Sequence, residues 1–310
     1  MQVTIVLSSP RSGSSWLSRV VRCIPDHCVF THNTFTTQFL YLLYPFRSAN
    51  AWGDDGICRR KLTDTLIDPL RIRSMRSHIA KKAAGKPVIL LSPTLSNYSP
   101  LISRVFPDAR YVHFQRNPLD TIASMKKFLA KNDCGGFLDR YREHFYGGRI
   151  YATRSGLVHV GHKFRWRNLI HPGYLGVRPT GFQSATKLSL VQFLSWYYSA
   201  NQRDIVTALA QVPESRQIDM HYEQLVGDYD NSMARLLDFI IGPHRDFETP
   251  LSHDGVKQGT IGRRKQTYSA EELKAIRNFI IDHAPEKVLK PYGLDREGSK
   301  ADDSLVGSGI

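Results

Sequence analysis

Five short apolar runs set the terms on which this chain can fold. Val3 to Ser8, Cys28 to Thr31, Pro87 to Leu91, Arg110 to Gln115 and Arg216 to Met220 read as buried strands, and most are followed by helical periodicity. That alternation predicts an α/β fold in which a central parallel β-sheet is flanked by helices.

The intervening segments carry helix signals with physical causes. Asp68 is placed to cap a helix with Pro69 in its first turn, and Ile72, Met75, Ile79 and Ala83 line one face until Gly85 ends it. Leu190, Phe193, Leu194, Tyr197 and Asn201 share a face of a longer helix, which puts Trp196 and Asn201 in its packing as readily as in a site. Ser269 and Glu272 form a capping box ahead of Leu273, Ile276 and Ile280.

A chain of 310 residues, 41% hydrophobic and 23% charged, can build one ample core and is slightly long for an average domain. The expected division is a single domain over 1–295 with an insertion at 131–187, then a flexible tail at 296–310 rich in Gly, Ser and Asp. The insertion is rich in Gly, Arg and aromatics with little periodicity, the character of a lid over a binding site.

Lys and Arg outnumber Asp and Glu by 42 to 28, a net charge of +14 that favours anionic partners without naming them. The four cysteines lack zinc-site spacing and are too few to staple a chain this size, so reduced thiols are expected. No run approaches the roughly 18 apolar residues of a membrane span. The chain opens on a strand-like run without signal-peptide features, and the expected location is cytoplasmic.

Two segments carry chemistry. The first is Ser9-Pro10-Arg11-Ser12-Gly13-Ser14-Ser15, set between a strand and a helix that opens with Trp16. A tight turn there aims backbone N–H groups at one point, where the helix dipole also favours negative charge, forming a P-loop-like phosphate cradle after the first strand. Gly13 permits close approach, Ser14 and Ser15 add hydroxyls, and Arg11 supplies a guanidinium fork. The Lys of kinase-type loops is absent.

The second segment runs from Tyr111 to Asp120, with Arg116 at the end of a strand, Asn117 as cap, Pro118 in the first helical turn and Ser124 about two turns in. Ligands of open α/β sheets bind at that carboxyl edge, so Arg116 and Ser124 can clamp a second phosphate. An Arg116–Asp120 ion pair with Ser124 packed on its helix is the structural alternative.

Together, in this order, the two motifs resemble those of the PAPS-dependent sulfotransferase superfamily. The resemblance implies PAPS as donor, PAP as product and no required metal. It makes Arg11 the basic residue at the bridging oxygen between phosphate and sulfate. Ser12, Gly13, Ser14 and Ser15 then form the 5′ loop, Trp16 stacks near adenine, and Arg116 with Ser124 grips the 3′-phosphate. Met220-His221-Tyr222-Glu223-Gln224-Leu225 is similar to a late strand-end motif of the family, which puts Tyr222 near the base. Gly259 to Lys265 is similar to its C-terminal Gly-Arg-Trp loop, with Gly262 and Arg263 closing over the 3′-phosphate and Arg264 where Trp is frequent.

For the catalytic base, the third strand is followed by Leu91-Ser92-Pro93-Thr94, which offers no group competent near neutral pH. His32, directly after the second strand, matches the position used by glycan-modifying members and is the expected base. His113 falls inside a strand and reads as a core histidine. The acceptor expected from Arg149, Arg154, Lys163, Arg165, Trp166 and Arg167 is polar or anionic with ring faces. A P-loop kinase, or an inactive module binding nucleic acid or acidic glycan, are the competing readings, with nucleic acid the less expected partner. Oligomeric state is left open.

Overall fold

The computed structural model describes residues 1–31, 69–133, 179, 181–185, 187–242 and 261–294. His32, Asp68, most of the 131–187 insertion and the 296–310 tail lie outside the described residues. The sheet comprises β1 (Val3–Leu7), β2 (Cys28–Thr31), β3 (Val88–Leu91), β4 (Arg110–Gln115) and β5 (Gln217–His221), in the order β2-β3-β1-β4-β5. Every pairing is parallel.

The predicted strands therefore all form, with ends moved by a residue or so for local reasons. Ser8 leaves the ladder because Ser96 takes over its backbone: Ser8 N donates to Ser96 Oγ at 3.0 Å, and Ser96 Oγ donates to Ser8 O at 2.8 Å. Pro87 has no N–H to contribute, and its carbonyl instead accepts from Cys28 N at 2.8 Å. Arg216 closes a 3₁₀ turn, Glu214–Arg216, so β5 starts one residue later.

Alternating side chains of β1 feed two layers. Val3, Ile5 and Leu7 join Met75 and Ile79 of α2 (Pro69–Ala83), Ile102 and Val105 of α3 (Ser99–Val105), and Ile205 and Leu209. On the other face, Val6 joins Leu17 and Val20 of α1 (Ser14–Val21) with residues 218–241, which include α6 (Tyr222–Gly227) and α7 (Tyr229–Ile241). A third cluster lies where α4 (Pro118–Asp133), α5 (Leu190–Leu209) and α8 (Ala270–His283) meet.

The α2 helix ends through two successive left-handed residues, Ala84 (φ 50°) and Gly85 (φ 85°). Asn201 is core: it is fully buried and its Nδ2 donates to Tyr197 O at 2.7 Å. No helix among the described residues is long and apolar enough to cross a membrane.

The capping box on α8 is present, Ser269 accepting from Glu272 N and Glu272 accepting from Ser269 N. Ser269→Ala is expected to cost about 1 kcal/mol, whereas Ile280→Ala, emptying a fully buried position, should cost about 2–5 kcal/mol. Urea unfolding monitored by circular dichroism measures both.

Candidate active site

Because β1 sits between β3 and β4, the chain leaves its carboxyl end toward one side of the sheet and reaches β4 on the other. The crevice between the ends of β1 and β4 is the topological switch point, where open α/β sheets hold ligands. Both candidate motifs start there.

The turn after β1 is tied to itself. Ser9 O accepts from Ser12 N at 3.3 Å and from Ser12 Oγ at 2.7 Å, so the Ser12 hydroxyl is spent inside the turn. Arg11 (φ 69°) and Gly13 (φ 102°) both adopt left-handed backbone. Gly13 caps α1 with no side chain satisfying the first turn, and its carbonyl accepts from Trp16 N at 2.9 Å and Leu17 N at 3.1 Å. The N–H groups of Ser14 and Ser15 have no intrahelical acceptor, as at every helix start. Only glycine fits at position 13, since a Cβ there would lie 2.8 Å from Tyr222 Cδ2.

Tyr222 thus packs against the first turn, and it also underlies the second. The Arg116 guanidinium lies over its ring, 4.9 Å from the centroid, and Arg116 Nη1 donates to Arg11 O at 3.4 Å. Arg116 is buried. The peptide that follows is fixed from β5's end, with Asn117 N donating to Glu223 Oε1 at 2.9 Å. Asn117 Oδ1 in turn accepts from Leu119 N and Asp120 N, capping α4. Burial raises the Glu223 carboxyl above its ordinary value, against the opposing pull of the Asn117 N–H and the Arg116 charge.

Asp120 reaches a third segment. Fully buried, it accepts from Gly262 N at 2.9 Å and Arg264 N at 2.9 Å, and from Arg264 Nη1 at 3.3 Å. This clamps the C-terminal turn to α4 and engages the Arg264 side chain away from the crevice. The Arg116–Asp120 alternative is only partly met. Asp120 acts on Arg116 through its charge, while its hydrogen bonds go to Gly262 and Arg264. Ser124 is buried four residues further along α4, on the face that carries Asp120.

The outcome is a cluster of cations. Burial, then the charges of Arg116 and Arg263, hold the Arg11 guanidinium below its ordinary value. Arg116 is also lowered, chiefly by burial and in part by Arg263, with Asp120 pulling the other way. Guanidinium groups stay protonated despite such shifts, so the repulsion among the three is borne by the fold and relieved by an anion.

A sequence profile of the sulfotransferase family matches residues 4–174. The chain belongs to the sulfotransferase family. No curated protein matches it in sequence. Among solved structures, the sulfotransferase from Alicyclobacillus acidocaldarius aligns at 14% identity over 93% of this chain and 96% of its own, with a TM-score of 0.49. The sulfotransferase domain from the curacin biosynthetic pathway aligns at 14% identity over 92% of this chain and 99% of its own, TM-score 0.49. A mouse sulfotransferase solved with PAP aligns at 12% identity over 97% of this chain and 88% of its own, TM-score 0.46.

Within this sulfotransferase, then, Arg11, Gly13, Arg116, Tyr222 and Arg263 come together, while Ser15 is exposed at the helix start. Trp16 is largely buried in the core, edge-on to Tyr229 with centroids 6.3 Å apart. Two anchoring residues are Asp120 in the first turn of α4, which the sequence offered only as a partner for Arg116, and Glu223 beside Tyr222, for which it offered none. A third feature is the Arg11 guanidinium over the Phe128 ring, 4.8 Å from its centroid.

Flanking the crevice, His113 Nδ1 lies 3.1 Å from Asp219 Oδ1, and Lys287 Nζ lies 3.3 Å from Asp219 Oδ2. Burial raises the Asp219 carboxyl, but the hydrogen bonds and charges of His113 and Lys287 outweigh it and hold the group well below the carboxylate range. A carboxyl depressed in the folded state adds stability above its unfolded pKa of about 3.9, and loses it as pH falls toward the folded value. Thermal melts of Asp219→Asn should therefore decline less than wild type on going from about pH 5 to about pH 2.

Proposed function

We propose that this sulfotransferase uses PAPS as donor and moves its sulfuryl group to a hydroxyl or amine of a small-molecule, glycan or glycosylated acceptor, with PAP as the leaving product. The observation that carries the reading is the Gly13 turn with Arg116 bonded to its Arg11 carbonyl over Tyr222, and with the Arg263 charge acting on both guanidinium groups. A 3′,5′-phosphorylated nucleotide fits this arrangement in two respects. The helix start offers N–H groups to one phosphate, and the Arg116–Arg263 side offers charge to another.

On this reading the Ser14 and Ser15 N–H groups and hydroxyls hold the 5′ side, with Ser12 keeping the turn closed and Trp16 on the adenine side. Arg11 leaves its perch on Phe128 to neutralise charge at the oxygen between phosphate and sulfate. Arg116, Ser124 and Arg263 hold the 3′-phosphate, Gly262 lets the C-terminal turn close on it, Arg264 anchors that turn on Asp120, and Tyr222 lies toward the base. PAPS supplies the activated sulfuryl group; the chain supplies in-line placement of the acceptor and stabilisation of the leaving phosphate.

β2 ends with Thr31 on the sheet edge that carries both turns, and His32, the next residue in the sequence, is the proposed base that takes the acceptor's proton. The basic and aromatic residues of 131–187 are proposed as the acceptor lid of a single domain. Transfer of label from PAPS across sugars, phenols, lipids and amines tests the reading directly. Stabilisation by ADP with magnesium in preference to PAP alone would favour the kinase alternative.

Two outcomes follow from these roles. Ser124→Ala and Arg263→Ala should each weaken PAP binding about tenfold or more, as for hydrogen bonds to a charged group. Binding of adenosine 5′-phosphate, which lacks the 3′ group, should change little in the same calorimetric titrations. His32→Ala should leave PAP affinity near wild type and lower kcat about 100-fold or more, read by single-turnover transfer.

A further inference from the structure

Behind the first turn runs a line of buried polar side chains that the roles above leave unused. Ser9 Oγ accepts from Gln202 Nε2 at 2.9 Å, and Gln202 Oε1 lies 3.0 Å from His113 Nε2. His113 Nδ1 lies 3.1 Å from Asp219 Oδ1. Ser9, Gln202 and His113 are each 1% exposed or less, so water does not substitute in the Ser9–Gln202–His113 links. Residues 9, 113, 202 and 219 come from four separate elements, yet their polar atoms meet end to end.

We propose that His113 and Gln202 are positioning residues for the transfer reaction: His113, held by Asp219, fixes the amide of Gln202, and Gln202 fixes Ser9 at the root of the turn that carries Arg11 and Gly13. The inference rests on the reading that this turn holds the donor. Ser9 is the right point to grip, since its carbonyl takes both the N–H and the hydroxyl of Ser12. Motion at Ser9 passes directly into the two residues whose backbone is left-handed.

His113 Nε2 faces the Gln202 carbonyl oxygen at 3.0 Å, and Nδ1 is flanked by Asp219 Oδ1 at 3.1 Å and Gln115 Nε2 at 3.2 Å. Gln115 Nε2, 3.2 Å from Asp219 Oδ1, donates to the same carboxylate. Facing the ring from β5 are Asp219 and His221, the latter's imidazole held below its ordinary value by burial, with Lys287 behind Asp219; from α5 and the end of β1 it meets the neutral Gln202 and Ser9. With its oxygen toward His113 and its nitrogen on Ser9, the Gln202 amide holds the turn in one hydrogen-bonding sense.

Gln202→Met, Ser9→Ala and the double variant test the relay. Amide exchange of Ser12 and Gly13 in the ligand-free protein should quicken about tenfold in each single variant, and PAP affinity should fall by a similar factor. The double variant should be no worse than the singles, because both break one link. Ser9→Ala removes a single oxygen and decides the matter where Gln202→Met is unstable. A lowered melting temperature with unchanged exchange and PAP affinity would overturn the proposal. Failure of the wild-type protein to bind PAP would overturn the nucleotide reading instead, while the ligand-free exchange still decides whether the relay holds the turn.

Discussion

The Asp120 carboxylate is the contact around which the rest of the crevice is organised. A buried carboxylate is tolerable only when its oxygens are occupied, and here two backbone N–H groups and a guanidinium from one turn occupy them. The interaction spans more than 140 residues of sequence. It brings the C-terminal turn, and with it Arg263, to a place where two other cations already stand. Removing the carboxylate would free a loop; it would also leave three polar donors without partners in a water-poor site.

Glu223 plays a related part on the opposite flank. Its hold on Asn117 N fixes the peptide between Arg116 and Pro118, while its neighbour Tyr222 fills the space against Gly13 and beneath Arg116. A two-residue segment at the end of β5 therefore sets the relation between the turns after β1 and β4. The fold holds its positive charges together by surrounding them with rigid neutral and acidic contacts.

Much of the architecture was legible in the sequence because its causes are local. The five strands announced themselves as short apolar runs, the α8 start as Ser269 with Glu272, and the end of α2 as Gly85. His113 read correctly as a core residue, and Asn201, which the sequence placed in packing as readily as in a site, proves to be core. The turn after β1 was readable as a turn, but its dependence on Tyr222 was not. Asp120 looked like a partner for Arg116, four residues away, and instead bonds to residues 262 and 264. Glu223 and Gln202 were invisible as anchors for the same reason: which distant donor meets a buried acceptor is decided by the packing of whole elements.

The pairing of β1 with β4 has one more consequence. Leu7 stands opposite His113, so β1 ends two residues before the level at which β4 ends at Gln115. Strands advance about 3.3 Å per residue, and a register shift of one would also exchange the faces of every side chain. The ladder between these two strands therefore serves as a ruler: the spacing of the two turns is a whole number of residue steps, and a ligand that bridges them is selected by length before any side chain is consulted.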